Sequence, residues 1–220
     1  MSEYIYREAT IKDIPFLVEV VIEAEKSGSD IIGLSKIFGI DELDLRKYLT
    51  QIFEEEIEGC EFSVSGFFVS EYDTLPVAAL GGWIEGENED GLPSSILKSN
   101  LLSYILPREN FSQLYKISEI IKDIQIERDL RTHQLEYGYV KPEHKGKGIF
   151  GNLIEKLLEK AKVQDKSIKK SYVQVFENNI SAIKVHQKSG YEIVKRLESK
   201  HPEILNYLPY NVKLLMAKEF

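Results

Sequence analysis

The 220-residue sequence predicts an α/β (α+β) fold, a central mixed, mostly antiparallel sheet flanked by helices with a helical insertion between the third and fourth strands. Three stretches predict it. At Leu135–Val140 a short strand runs into a glycine-bearing basic turn. A long helix follows with Ile149, Leu153, Leu157 and Ala161 on one face, and residues 168–176 then form a further strand. Residues 61–71 and 77–85 read as a hairpin with apolar groups on both faces, which fits a sheet covered on each side by helices. Residues 86–133 are too long for an unstructured connection inside a compact domain, and they carry two helical patterns. One domain over 1–220, with its insertion at 86–133, is the expectation.

In order along the chain, Tyr4–Glu8 is a strand candidate. Asp13 is a plausible N-cap, Pro15 fits the first turn where its missing N–H costs little, and Phe16, Val20, Val21 and Ala24 give the helix one apolar face. Ser27–Gly39, with three glycines, reads as a loop or broken helix. Asp41–Glu58 should be helical, burying Leu45, Leu49, Ile52 and Phe53 beneath acidic residues Glu54, Glu55, Glu56 and Glu58. A strand at Glu61–Glu71, with Phe62, Val64 and Phe68 opposite Phe67 and Val69, turns through Asp73–Pro76 into Val77–Glu85. Within the insertion, residues 94–106 and Phe111 to about Glu127 are the two helices. Capping the neighbouring site, forming a dimer surface and packing on the sheet are three open uses for them. Tyr191–Leu197 and Val212–Phe220 read as the last two strands.

A composition of 43% apolar and 29% charged residues is that of an ordinary soluble globule, and a formal charge of -8 argues against a general nucleic-acid binder. The charge is uneven: Lys141–Lys170 holds nine lysines against four acids, so an anionic ligand could use this segment and a cationic one the acidic remainder. Cys60 is the single cysteine, which rules out an intramolecular disulfide, and with four scattered histidines it makes no zinc knuckle, so no metal is expected. No basic-then-apolar leader opens the chain and no run reaches membrane-spanning length, so cytoplasmic residence without membrane attachment is expected.

The turn between strand and helix is where chemistry is legible. The first helical N–H groups lack intrahelical partners, and glycines at 146 and 148 let an anion approach the backbone, with Lys145 and Lys147 adding charge. The dinucleotide fingerprint and the Walker turn do not fit, since one needs a third glycine at its own offset and the other a Gly-Lys-Ser/Thr ending. The run from Lys145 to Phe150 does resemble the Gln/Arg-x-x-Gly-x-Gly/Ala turn of the GCN5-related N-acetyltransferases, with Lys145 first, Gly148 fourth and Phe150 in the sixth position where that family has glycine or alanine. Residues 179–191 are similar to the same family's Asn-x-x-Ala-x-x-x-Tyr-x-x-x-Gly-Phe segment: Asn179, Ala182, Gly190 and Tyr191 fall on the pattern and His186 replaces its tyrosine.

The resemblance implies acetyl-CoA as acyl donor, held by the backbone at Tyr139 and Val140, by the turn of Lys145, Gly146, Lys147, Gly148, Ile149, Phe150 and Gly151, and near Asn179 and Ala182. It implies direct attack of an amine on the thioester in a ternary complex, the amine being a small molecule or part of a peptide. Glu136 is the candidate base, placed on one strand face with Gln134 and Gly138 while Tyr137 and Tyr139 point oppositely; a water chain or Tyr210 competes for the role. His186 is a candidate proton donor to the departing sulfur, its ordinary pKa near 6.5 making a charged form accessible, against a packing role on its helix. A non-catalytic acyl-CoA-binding protein and a structural interaction protein are the alternatives on the same scaffold.

Overall fold

The computed structural model describes residues 3–220. Strands β1 (Ile5–Glu8), β2 (Phe67–Tyr72), β3 (Leu75–Ile84), β4 (His133–Val140), β5 (Lys170–Phe176), β6 (Glu192–Glu198) and β7 (Val212–Glu219) form one sheet in the order β1-β2-β3-β4-β5-β7-β6. Every neighbouring pair is antiparallel except β4 and β5. The helices are α1 (Ile14–Lys26), α2 (Gly33–Phe38), α3 (Glu42–Glu54), α4 (Ser94–Ile105), α5 (Leu114–Ile121), α6 (Ile149–Gln164) and α7 (Ile180–Lys188). The mixed, mostly antiparallel sheet and the helices between β3 and β4 are those expected.

Helices cover both sheet faces, as the two-faced apolar hairpin required. On one side α1 lies across β4, and Leu17, Val20 and Val21 join Leu49, Ile52 and Phe53 of α3 in a fully buried core. On the other, α6 buries Leu153, Ile154 and Leu157 against Ala78, Leu80 and Leu135 of β3 and β4. Pro15 sits in the first turn of α1, as expected, but the Asp13 carboxylate does not cap it. That carboxylate turns back to accept from the Thr10 N–H (2.8 Å) and to pair with Arg7 (2.8 Å). Asp41 does cap α3, accepting from the Asp44 N–H at 2.8 Å.

Several expectations are corrected. The strand expected from Glu61 begins only at Phe67, because residues 61–66 fold as turns with a short 3-10 segment and send Glu61, Phe62 and Val64 inward. Glu56, read as part of an exposed acidic face, anchors those turns, its carboxylate accepting from the Val64 N–H (2.6 Å), the Ser65 N–H (3.0 Å) and the Ser63 hydroxyl (2.7 Å). The helix expected from Phe111 to Glu127 is α5 alone, with 3-10 turns at Arg108–Phe111 and Lys122–Ile124.

The insertion packs against helices more than against the sheet. Leu101, Leu102 and Leu106 join the α1–α3 core, while Ile120 and Ile124 meet Ile37 of α2 and Ile204 and Leu208 of the loop before β7. Tyr104 and Tyr115 stay exposed. Among the described residues no helix is long and apolar enough to cross a membrane.

Candidate active site

Two features of β4 create the site. Its pairing with β5 covers only His133↔Ser171, Gln134↔Tyr172 and Leu135↔Val173, after which β5 continues with β7 alone. A strand's N–H and C=O groups alternate between its two sides, so some of those from Glu136 to Val140 face the opening between β4 and β5 instead of a partner strand. Tyr139 and Val140, the residues expected to pair with the donor's arm, lie within this stretch. The second feature is a β-bulge: Leu80 pairs with Gly138 and Gly81 with Glu136, leaving Tyr137 over, at φ 54°.

The bulge corrects the expected facing of the strand. Leu135 points into the α6 core, whereas Glu136 and the bulged Tyr137 both point to the α1 side, and Gly138 returns to the α6 side. Glu136 therefore shares its face with Tyr137, not with Gly138. A tyrosine in the left-handed region is strained by about 1–3 kcal/mol. Here its ring stacks on Phe62 at 5.4 Å and its hydroxyl donates to Glu61 at 3.0 Å, which together offset that cost.

At the open end of β4, a short turn leads through Lys145 to Gly148, the residue preceding α6. Gly146 and Gly148 both have positive φ (77° and 78°), and a side chain at either would meet open space. No acceptor among the described residues takes the N–H groups of Gly146, Lys147, Gly148, Ile149, Phe150 or Gly151, and the side chains of Lys145 and Lys147 are exposed beside them. Unpaired amides at a helix N-terminus can donate to the oxygens of an anion such as a phosphate. Ile149 is buried beneath the turn and anchors it to the core.

Phe150 finds its room at Gly138. A Cβ there would lie 2.5 Å from the Phe150 ring, so the missing side chain on β4 admits a bulky one on α6. The ring then meets His186 edge-on, with centroids 5.6 Å apart, and His186 packs in turn on Tyr191 at 5.3 Å. His186 is buried, and among the described residues its Nδ1 has no hydrogen-bond partner. Burial pushes its pKa down to about 4, so the imidazole is neutral at pH 7. The accessible charged form expected from an ordinary histidine is thereby removed, leaving an N–H as its only donor.

Asn179 caps α7, accepting from the Ala182 N–H at 3.1 Å and from the Ser181 hydroxyl at 3.0 Å, and its amide nitrogen donates to Ser27 Oγ at 3.3 Å. Its carboxamide is committed to the fold, and Ala182 packs at the edge of the α6 core.

On the α1 side the structure assembles charges that sequence reading missed. Glu61, fully buried, accepts from Lys98 of α4, from Arg128 (2.8 Å) and from Tyr137. Arg128 also pairs with Glu136, donates to Ser94 Oγ (3.1 Å) and stacks over Trp83 with 5.0 Å to the ring centroid. Burial pushes the Glu61 carboxyl up, but Lys98 and Arg128 outweigh it and hold its pKa below the ordinary range. Glu136 uses Oε2 on Arg128; among the described residues Oε1 has no partner. The sequence signal for this cluster was slight: Glu61 sits inside an apparent strand, and Lys98 and Arg128 sit in an insertion whose placement nothing local fixes.

A shallow concavity of about 380 Å³, lined by Glu58, Glu87, Glu89, Arg131 and Asp165, lies at the other end of β4 from the glycine turn. It shares no residue with the arrangement above. The Cys60 thiol is buried and pushed up to about 11 by that burial, which removes it as a nucleophile. Among the described residues no cluster of His, Cys, Asp or Glu could hold a metal.

An opened parallel strand pair, a turn of unpaired amides before a helix and a charged cluster on the opposite face make up the candidate site. The acetyltransferase (GNAT) family model matches residues 34–191, and the chain belongs to that family. Solved structures agree on the fold. An N-acetyltransferase from Staphylococcus aureus Mu50 superposes with a TM-score of 0.63 at 13% identity, covering 97% of this chain and 99% of that one. A polyamine N-acetyltransferase of Drosophila melanogaster that forms N-acetylagmatine gives 0.59 at 12%, covering 99% and 100%. The yncA protein of Salmonella typhimurium, solved with its cofactor acetyl-CoA, gives 0.54 at 12%, covering 99% and 94%. By sequence, no curated protein matches the chain. Family and fold together support acetyl-CoA-dependent acyl transfer in general.

Proposed function

We propose that the protein is an N-acetyltransferase that moves the acetyl group of acetyl-CoA to an amine by direct attack in a ternary complex. The observation that carries this reading is the run of unpaired amides from Gly146 to Gly151 beside the unpaired edge of β4. The turn would hold the pyrophosphate, and the β4 backbone at Tyr139 and Val140 the pantetheine arm, laying the thioester in the opening below Glu136. The amine nitrogen attacks the thioester carbonyl, and its proton passes to Glu136 Oε1 as the tetrahedral species forms. Collapse breaks the carbon–sulfur bond, and the neutral His186 N–H donates to the departing thiolate.

Release of CoA thiol from acetyl-CoA in the presence of a panel of primary amines is the test. In Glu136→Gln, turnover should fall by roughly 10²-fold or more with acetyl-CoA affinity preserved. Turnover within about twofold of the parent would move the base role elsewhere. A second reading, a protein that binds acetyl-CoA without transferring the group, is favoured by the pairing of Glu136 with Arg128 and the absence of charge on His186. Tight acetyl-CoA binding with no thiol release from any amine would select it.

A further inference from the structure

Three carboxylates, Glu25, Glu61 and Glu136, lie near one another on the α1 side of β4 and influence one another's charge. Lys98 and Arg128 answer Glu61, and Arg128 answers Glu136. Among the described residues no lysine, arginine or histidine pairs with Glu25. Its Oε2 accepts from the Leu34 N–H at 3.0 Å, and among the described residues its Oε1 has no partner.

The position of Glu25 is fixed from two directions. At the end of α1, the Asn178 amide donates to the Ser27 carbonyl at 3.1 Å and the Asn179 amide to Ser27 Oγ at 3.3 Å, which holds Glu25 beside the end of β5 where the sheet opens. On its other side is Gly33, where a Cβ would stand 2.8 Å from Glu25 Oε2, so the carboxylate is seated against bare backbone. Tyr207 and Leu208 border the same glycine from the loop before β7.

We propose that Glu25 is the counter-ion for a second cationic group of the acceptor, so that the acceptor is a diamine or a guanidino-amine and not a monoamine. The proposal rests on the amine-acetyltransferase reading above and names its substrate class. One nitrogen of such an acceptor reaches Glu136 and the thioester while the other, still protonated, pairs with Glu25 Oε1. The Lys98 charge acts on Glu25 from a distance without bonding it, so the carboxylate is partly compensated but keeps Oε1 for a direct partner. Lys98 and Arg128 are engaged as described, and Lys213 of β7, 5.0 Å from the Phe176 ring centroid, is less readily protonated than usual because it is buried. Burial likewise raises the pKa of the Glu25 carboxyl, a cost that an incoming cation removes.

The test compares putrescine and agmatine with butylamine, which has the same four-carbon reach as putrescine and no second cation. A charge-assisted contact predicts that kcat/KM for putrescine and agmatine exceeds that for butylamine by roughly 10- to 100-fold, and that Glu25→Gln collapses the ratio to within a few-fold while the acetyl-CoA dissociation constant holds. Glu25→Asp, which keeps the charge but shortens the reach, should give an intermediate ratio and substitutes if Glu25→Gln does not fold. A ratio near one in the parent protein, or one that survives in Glu25→Gln, overturns the proposal. If none of the amines is acetylated, the transferase reading has failed separately. Calorimetric titration of agmatine and butylamine onto CoA-saturated protein then decides this proposal: agmatine binding lost in Glu25→Gln upholds it, and equal or absent binding of both overturns it.

Discussion

The two sides of β4 are built by different means. On the α6 side, the candidate cofactor surface is backbone: amides from Gly146 to Gly151, a Gly138 that admits Phe150, and a core of Leu153, Ile154 and Leu157 free of charge. On the α1 side, the candidate acceptor region is a side-chain cluster, with Glu25, Glu61, Lys98, Arg128, Glu136 and Lys213 drawn from elements far apart in sequence. The first is set by a turn, the helix after it and the strand before it, all within some thirty residues. The second exists only when α1, the insertion and β7 have all docked on the sheet, and its energy lies in charges that compensate one another away from water.

The sharpest way to break this contrast is to remove Glu61. In Glu61→Ala the half-buried Lys98 and Arg128 lose their shared, fully buried partner, and urea unfolding should show a loss of roughly 3 kcal/mol. Acetyl-CoA affinity should change far less, since the cradle lies across the sheet. A loss below about 1 kcal/mol would mean that the cluster is solvated and does not hold the region together.

Gly148→Asp probes the other side. It puts a negative charge into the amide cradle at a position where φ is 78°, and acetyl-CoA affinity should weaken by about 100-fold or more, read by calorimetry on folded protein. Lys147→Ala should cost only a few-fold, shrinking as salt is added, because that side chain is exposed. An unchanged dissociation constant in Gly148→Asp would remove the anion-site assignment.

The smallest effect sharpens the reading of the α6 side. His186 and His133 are buried, and that burial depresses their pKa values to about 4 and about 3. At pH above about 6.5 the imidazoles are neutral in the folded and unfolded chains alike. As pH falls below that value, the unfolded chain takes up protons that the folded one refuses. Stability is therefore lost with acid, by about 1.4 kcal/mol per pH unit for each histidine between pH 6.5 and the folded pKa. His186→Phe should lower the slope of unfolding free energy against pH by roughly 1 kcal/mol per pH unit between about pH 5 and 6.5, a window set by the ordinary histidine value. An unaltered slope would show that His186 charges in the folded protein and would restore it as a charged proton donor.

The sequence by itself determined the glycine turn and the helix that follows it, the candidate cofactor side. Glycines at 146 and 148, the lysines beside them and the helical spacing of Leu153 and Leu157 act within a few residues of one another, so their pattern survives without knowledge of the fold. It also determined the sheet and its two-sided cover, because apolar residues on both faces of Phe67–Val69 and Val77–Ile84 leave no face for water. Only the tertiary structure decided which way β4 aims its side chains. One bulged residue, Tyr137, moves Gly138 across the sheet, and that bulge is held by Phe62 and Glu61, some seventy-five residues earlier. It alone decided, too, that Glu61 is a buried charge instead of a strand residue, that His186 is uncharged, and that Glu25 lies beside the opening of the sheet. A side chain's charge state and partners depend on what is packed around it, and long-range packing leaves no periodicity in the chain to read.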